Sequence, residues 1–482
     1  MPDAERDGVT KPRRGQAWSN VVLALVSLSV VTILCKLPTL DTPAYWDEMA
    51  WLGQADSLWR RGLITAIPGL RPAAAFWGHP PGLHFILAAL GTAFGVSVPV
   101  AHALIGIFAA IGVCATYLLA RHLYDSATGW LAAAVLLLSP LYFAQSGMFL
   151  ADVPVAALGT LAIYFVLTDR FRHYVICASC MVLLKETAIA LVVALLLYRF
   201  LIMRPMRQAR LGEVAKYCIP LIVIGAFAVL QRITTGKFFI IYDFEFKLFE
   251  LTPGLIRRQF QLITRWIFLE QYRWVFTALI ALNLLVNEQA RRRRELWLFV
   301  LVVVLSGYSF SILYFLPRYL LPVLPLFYIF AVRSVIELAQ RPSFQFAGAA
   351  ALLGMSVWSL TADPMRANGE QSLRYLGVVS MNKAAVDRIA SEFPEARVLT
   401  TWPHTAEMAK PLQGYVKRPI ATKPFRSVAD LAESNIILVS QPSSADALGL
   451  RELARSSAWR LIMRREQEGA WTELYAAATP PQ

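Results

Sequence analysis

Apolar residues along this chain fall in long, nearly uninterrupted runs, not in the half-apolar stripes of a soluble helix. The runs cover roughly 18–38, 99–119, 127–145, 153–168, 174–184, 187–203, 217–234, 272–287, 296–315, 319–332 and 344–362. Most approach the length that crosses a hydrocarbon core. Inside lipid every backbone polar group must be satisfied internally, which leaves helices or a closed barrel. The runs are rich in Leu, Val and Ala and lack ten-residue alternation, so they predict helices. The first follows Lys11, Arg13 and Arg14, has no small-x-small cleavage site and exceeds a signal-peptide core, so it reads as a retained span.

Composition agrees: of 482 residues 57% are hydrophobic and only 16% charged. A net charge of +14 would suggest nucleic acid in a soluble protein. In a chain of many spans, Lys and Arg instead collect in cytoplasmic loops as topology signals, and no nucleic-acid partner is expected. Arg121 with His122, Arg170 with Arg172, Arg204 through Lys216, Arg291 to Arg294, and Arg333 with Arg341 all fall on one side if the N-terminus is cytoplasmic. Residues 174–203 read either as one long tilted span or as two short spans turning at Lys185 and Glu186. The hairpin keeps the charge rule intact. It gives about eleven spans and places 39–98, 145–152, 185–186, 235–271, 316–318 and the tail from 363 outside.

The expected architecture is therefore an all-α polytopic membrane protein with juxtamembrane helices in its first outer loop and a small C-terminal α/β domain outside. Residues 1–17 form a cytoplasmic tail, 18–362 the transmembrane domain (39–98 its first outer loop) and 363–482 the outer domain. In that last region "ARVLTTW" and "NIILVSQ" read as strands, "SVADLAES" and "ADALGLRELARSS" as helices. It carries no Gly-rich phosphate loop and no Cys/His cluster, which suggests an accessory role. The five cysteines lie in or beside apolar spans and imply no disulfide framework.

Several charges sit where the topology rule does not want them. Short outer connectors should be poor in Lys and Arg, yet Lys185 lies in "LLKETA" and Arg318 in "YFLPRYLLPVLPLF", with Tyr319 beside it. Asp152 in "MFLADVPVAAL", Asp47 and Glu48 in "YWDEMAW", and His79 in "FWGHPPGLHFIL" share that face. Ionisable groups at the edge of hydrocarbon are functional candidates by default. Each has a plainer reading: Asp47 or Asp152 as a helix cap, Glu186 as the neutralising partner of Lys185, Arg318 as a snorkelling side chain. Their convergence on one surface favours a site for a charged lipid headgroup and a polar second substrate.

Taken in chain order over residues 18 to 335, the "DE" pair, "HPPGLHFIL", "LADVPVAALGTLAIYFVL", "LLKETAIAL" and "RYLLPVLPLF" resemble the C-type (GT-C) glycosyltransferases, specifically the family 39 group of protein O-mannosyltransferases and the lipid A aminoarabinose transferase. The resemblance implies transfer of a sugar from a polyprenyl-phosphate carrier to a protein, lipid or glycan acceptor at the outer face of the plasma membrane. The family's first-loop Asp matches Asp47, its acid after the third span Asp152, its hairpin base Lys185 and its "RY-x-L-P" arginine Arg318. The aminoarabinose branch has Lys-Pro-Pro where this chain has His79-Pro80-Pro81, which removes a fixed cation.

Within that frame Asp47 is the expected general base. Arg318 is expected on the donor phosphate, because a guanidinium fork matches phosphate oxygens and stays charged. Lys185 assists or organises the acids, and Glu48 orients the acceptor or a neighbouring cation. His79, Asp152, Glu186 and Tyr319 complete the expected substrate-binding set. A divalent Mg²⁺ or Mn²⁺ between Asp47 and Asp152 is a further expectation. A transporter of lipid-linked sugars is the alternative class, but it predicts internal repeats and midplane charges, and no repeat is apparent.

Overall fold

The computed structural model describes residues 14–69, 79–203, 211–236, 252–309, 311, 315–362, 369–442, 446–456 and 459–478. The basic residues Lys11, Arg13, Arg204, Arg207 and Arg210, used above as topology signals, lie outside the described residues, as do parts of the 39–98 and 235–271 loops.

Two regions differ in kind. The described residues up to Thr361 form helices joined by short turns. Helix α1 (Arg14–Lys36) is followed by α2 (Asp47–Arg61), α3 (Gly82–Phe94), α4 (Val98–Leu123), α5 (Ser126–Leu138), α6 (Pro140–Gln145), α7 (Asp152–Leu167), α8 (Phe171–Leu184) and α9 (Ile189–Leu197). Then come α10 (Leu211–Tyr217), α11 (Ile219–Thr235), α12 (Pro253–Phe268), α13 (Arg273–Val286), α14 (Arg294–Val302), α15 (Leu324–Leu338) and α16 (Pro342–Thr361). Four described segments are long and apolar enough to cross a membrane: Ser19–Thr39, Val98–Leu123, Glu186–Met203 and Pro342–Thr361. Six shorter apolar helices accompany them. Helix α4 is central and packs on α1, α5 and α7.

The 174–203 run is broken: α8 ends at Leu184, Lys185 is extended, and the chain resumes helix after a short turn at Glu186–Ala188. Two expected spans come out differently. The 127–145 run breaks at Ser139, where Pro140 cannot donate to the preceding turn and starts a new short helix. The 319–332 span begins only at Leu324, because Pro317–Leu320 forms a tight 3-10 turn.

The second region opens with α17 (Tyr375–Glu392) and continues as a five-stranded sheet with α18 (His404–Ala409) and α19 (Asp446–Ser456). Its strands are β1 (Arg397–Thr400), β2 (Ala421–Pro424), β3 (Ile436–Gln441), β4 (Trp459–Gln467) and β5 (Ala470–Ala477), in the order β2-β1-β3-β5-β4. The β1–β2 and β1–β3 pairs are parallel, and β3–β5 and β4–β5 antiparallel. "SVADLAES" is a 3-10 turn with a Ser427–Asp430 capping box, in place of the expected helix. Between β4 and β5, Glu468 and Gly469 both have positive φ (53° and 84°), the backbone that closes a two-residue hairpin.

Candidate functional site

The end of the bundle where α7 starts and α8 stops gathers the singled-out charges. Asp152 stands on the first turn of α7, and Lys185 on the extended residue after α8. Arg318 lies in the tight turn that delays α15, and Asp47 opens α2. Lys185 Nζ donates to Asp152 Oδ1 at 2.7 Å. The Arg318 guanidinium donates from Nη2 to Asp47 Oδ2 at 2.6 Å, and its Nε lies 3.4 Å from Asp152 Oδ2. Residues 271 positions apart thus meet in one cluster.

Tyr319 stacks under both cations, with Lys185 Nζ 4.2 Å and the Arg318 guanidinium 5.8 Å from its ring centre. The electron-rich face lets two like charges sit close together. His79 Nδ1 meets Glu186 Oε2 at 2.9 Å, and its ring lies 5.2 Å from that of Trp51. The Pro80-Pro81 entry brings His79 there because Gly82 seats directly on the hairpin: a Cβ at Gly82 would lie 2.5 Å from the Leu183 carbonyl oxygen.

Three of the plainer readings are corrected, and Glu48 takes a place of its own. Asp152 is not a helix cap: Ala151 holds that position, and the Asp152 carboxylate turns to Lys185 and Arg318. Asp47 is not a cap either, since the helix starts at Asp47 itself after Trp46. Glu186 pairs with His79, and Lys185 with Asp152. Glu48, expected to orient the acceptor or a neighbouring cation, lies away from the cluster beside His102. It is buried and accepts from the Tyr45 and Phe149 amides at 3.0 and 2.6 Å, with His102 Nε2 2.6 Å away. Neighbours on one helix point about 100° apart, so while Asp47 turns to the cluster, Glu48 turns into the protein and fastens the loop.

The cluster also contains residues the sequence reading passed over. Glu370, in the segment between α16 and α17, forms an ion pair with Arg318. Its backbone carbonyl accepts from Gln145 Nε2 at 2.8 Å. Burial pushes the Glu370 carboxyl up, against the pull of Arg318. Three carboxylates therefore surround one guanidinium, with Lys185 as the second cation. Glu370 Oε2 has no hydrogen-bond partner among the described residues. His102 was detectable, because an ionisable residue inside an apolar span asks for a partner. Glu370 gave no such signal, since it follows the last span in an ordinary polar stretch.

The arrangement has definite chemical capacities. Arg318 is almost closed off, but Asp47 keeps 29% of its side chain exposed, so an incoming hydroxyl can reach Asp47 first. The space between Asp47 and Asp152 does not fit a divalent ion while the Arg318 guanidinium bridges them. Among the described residues no set of three or more His, Cys, Asp or Glu gathers as a metal site.

Residues 78–231, about a third of the chain, match the family described as dolichyl-phosphate-mannose-protein mannosyltransferase. No curated protein matches the chain in sequence. Among solved structures, ArnT from Cupriavidus metallidurans bound to undecaprenyl phosphate is similar with a TM-score of 0.56 at 13% identity, over 96% of this chain and 100% of that one. The apo form of ArnT gives 0.56 at 15% identity, covering 97% and 100%. The archaeal oligosaccharyltransferase AglB from Archaeoglobus fulgidus, in complex with an inhibitory peptide and a dolichol-phosphate, gives 0.50 at 10% identity over 97% and 75%. Residues 78–231 thus resemble a mannosyltransferase family, and the chain shares the ArnT fold over nearly its whole length.

Proposed function

We propose that the protein is a membrane glycosyltransferase that moves a sugar from a polyprenyl-phosphate carrier to an acceptor at the extracytoplasmic face of the plasma membrane. In this reading the chain spans the bilayer about eleven times, and the C-terminal domain lies outside. The observation that carries the proposal is the meeting of Asp47, Asp152, Lys185 and Arg318, from four separate connectors, at one end of an apolar helical bundle. The ArnT and AglB structures, which hold undecaprenyl phosphate and a dolichol-phosphate, support a lipid-phosphate donor for a chain of the same fold.

Asp47 accepts the proton of an acceptor hydroxyl, and the freed oxygen attacks the anomeric carbon of the donor sugar. The bond from that carbon to the phosphate oxygen breaks, and its electron pair stays on the departing lipid monophosphate. Negative charge grows there as the bond lengthens. Arg318 and Lys185 meet that charge, an interaction stronger in the transition state than in the ground state. The donor phosphate takes the place of one carboxylate around Arg318. A single displacement with base and leaving group on opposite faces inverts the anomeric centre.

The test uses purified protein in lipid nanodiscs with radiolabelled polyprenyl-phosphate sugars and extracted cell-envelope acceptors. Transfer is expected in the wild type, and about 10²–10⁴-fold less in Asp47→Asn. Undiminished transfer in that variant removes Asp47 as the base. EDTA is expected to leave turnover intact, because the positive charge at the leaving group comes from side chains.

A further inference from the structure

The C-terminal domain reaches into the loop that carries Asp47. Its tight turn Pro411–Gln413 lies against residues 43–49. The Gln413 carbonyl accepts from the Ala44 amide at 3.0 Å, and the buried Gln413 side chain donates from Nε2 to the Met49 carbonyl at 3.1 Å. The next residue, Gly414, has φ +85°, and a Cβ there would lie 3.1 Å from Pro43 Cα. Tyr375 of α17 packs its ring against that of Tyr45, tilted by 42° with the centres 5.5 Å apart. Contacts from one domain therefore fall on Pro43, Ala44, Tyr45 and Met49, on both sides of Asp47.

The loop needs such support. Trp46, directly before Asp47, holds a left-handed φ of 52°. A bulky residue in that region costs about 1–3 kcal/mol and persists only where its surroundings over-determine it. From the bundle side, Glu48 supplies the restraint through the Tyr45 and Phe149 amides and His102. From the other side, the restraint comes from Gln413. The domain itself is anchored beside the cluster, where Gln271 Nε2 donates to the Gln371 carbonyl at 2.9 Å and Glu370 pairs with Arg318.

We infer that the C-terminal domain is part of the catalytic apparatus, and that Gln413 is a positioning residue that fixes the Asp47 turn between Ala44 and Met49. This rests on the reading of Asp47 as the base. A carboxylate displaced by about 1 Å from its working geometry can cost on the order of 10²-fold in rate. Gln413 touches no reacting atom, and its effect travels only through the turn.

The experiment uses the full-length protein in nanodiscs and the variant Gln413→Met, which keeps the side-chain volume and removes the donor to Met49. The expected result is a kcat about 10–100-fold lower with the donor KM within a factor of two, and faster hydrogen exchange in the peptide 42–52. In an Asp47→Asn background, Gln413→Met is expected to cost nothing further, since groups acting as a unit are non-additive. A merely structural role would lower both backgrounds by the same factor and overturns the inference. So does a fall in kcat without faster exchange, or faster exchange without a fall in kcat. Should Gln413→Met yield no folded protein, Tyr375→Leu, which loosens the same loop at Tyr45, is held to the same three outcomes. Absence of transfer in the wild type overturns the proposed reaction, and the exchange rate of 42–52 alone then decides whether the clamp exists.

Discussion

Two buried ion clusters in this molecule have opposite stoichiometry. In the C-terminal sheet a single carboxylate, Glu473, is held by a bidentate Arg451 at 2.6 and 2.8 Å, by Arg455 at 2.7 Å and by the Tyr475 hydroxyl at 2.6 Å. At the end of the bundle a single guanidinium, Arg318, is held by Asp47, Asp152 and Glu370. Burial alone would raise the Glu473 pKa, yet the bonds from Arg451 and Tyr475 hold it at about 2. Glu370 goes the other way, with burial prevailing over Arg318. Every oxygen of Glu473 is satisfied, whereas Glu370 Oε2 has no hydrogen-bond partner among the described residues. A saturated acid is a fastener. An acid with an unpartnered oxygen is held less firmly, and an incoming anion can take its place at Arg318.

That contrast breaks most visibly at Arg318. Arg318→Lys keeps a cation but loses the fork, and transfer is expected to fall about 10²–10³-fold in protein that still folds. Turnover assays on folded material check this, and an unchanged rate would make Arg318 a fastener like Glu473. The converse substitution, Glu473→Gln, is expected to cost the C-terminal domain about 1.5–3 kcal/mol, since it weakens the charge-assisted hydrogen bonds that Arg451, Arg455 and Tyr475 make to a buried acid. Denaturant unfolding followed by hydrogen exchange of the β3 and β5 peptides measures it. Turnover per folded molecule should stay within twofold.

A pH titration sharpens the comparison further. The Glu473 pKa is depressed in the folded state, so its contribution is complete above its unfolded value of about 4.3. It is lost as the pH falls toward about 2, and β5 should lose exchange protection across that window. Asp430→Ala is expected to have the smallest effect. Asp430 is folded back into its own turn, where Lys423 and the Arg426 and Ser427 amides hold its pKa at about 2. Losing this cap should lower the melting temperature only slightly and leave transfer untouched.

Much of the site could be read from the sequence because lipid makes charge conspicuous. Asp152, Lys185 and Arg318 stand out as ionisable residues in short connectors between apolar runs, and the structure brings all three together with Asp47. Glu48 was legible as pointing away from Asp47, since neighbours on one helix diverge, but its burial against His102 was not. Glu370 was hidden, since a carboxylate in a polar stretch has no contrast. In the C-terminal region β1 and β3 were visible as short apolar runs, but β4 is mostly exposed and charged, which masked the β4–β5 hairpin. Its Glu468-Gly469 turn was the available signal.

The His102–Glu48 bond also bears on biogenesis. Glu48 leaves the ribosome before the α4 helix that carries its imidazole partner, and before the Phe149 amide that completes its coordination. The acidic turn therefore waits unfinished while later helices insert, and Gln413 arrives later still, after the final apolar helix. On the proposed role of Gln413, a nascent chain that has not yet reached it would hold the Asp47 turn without its outer clamp.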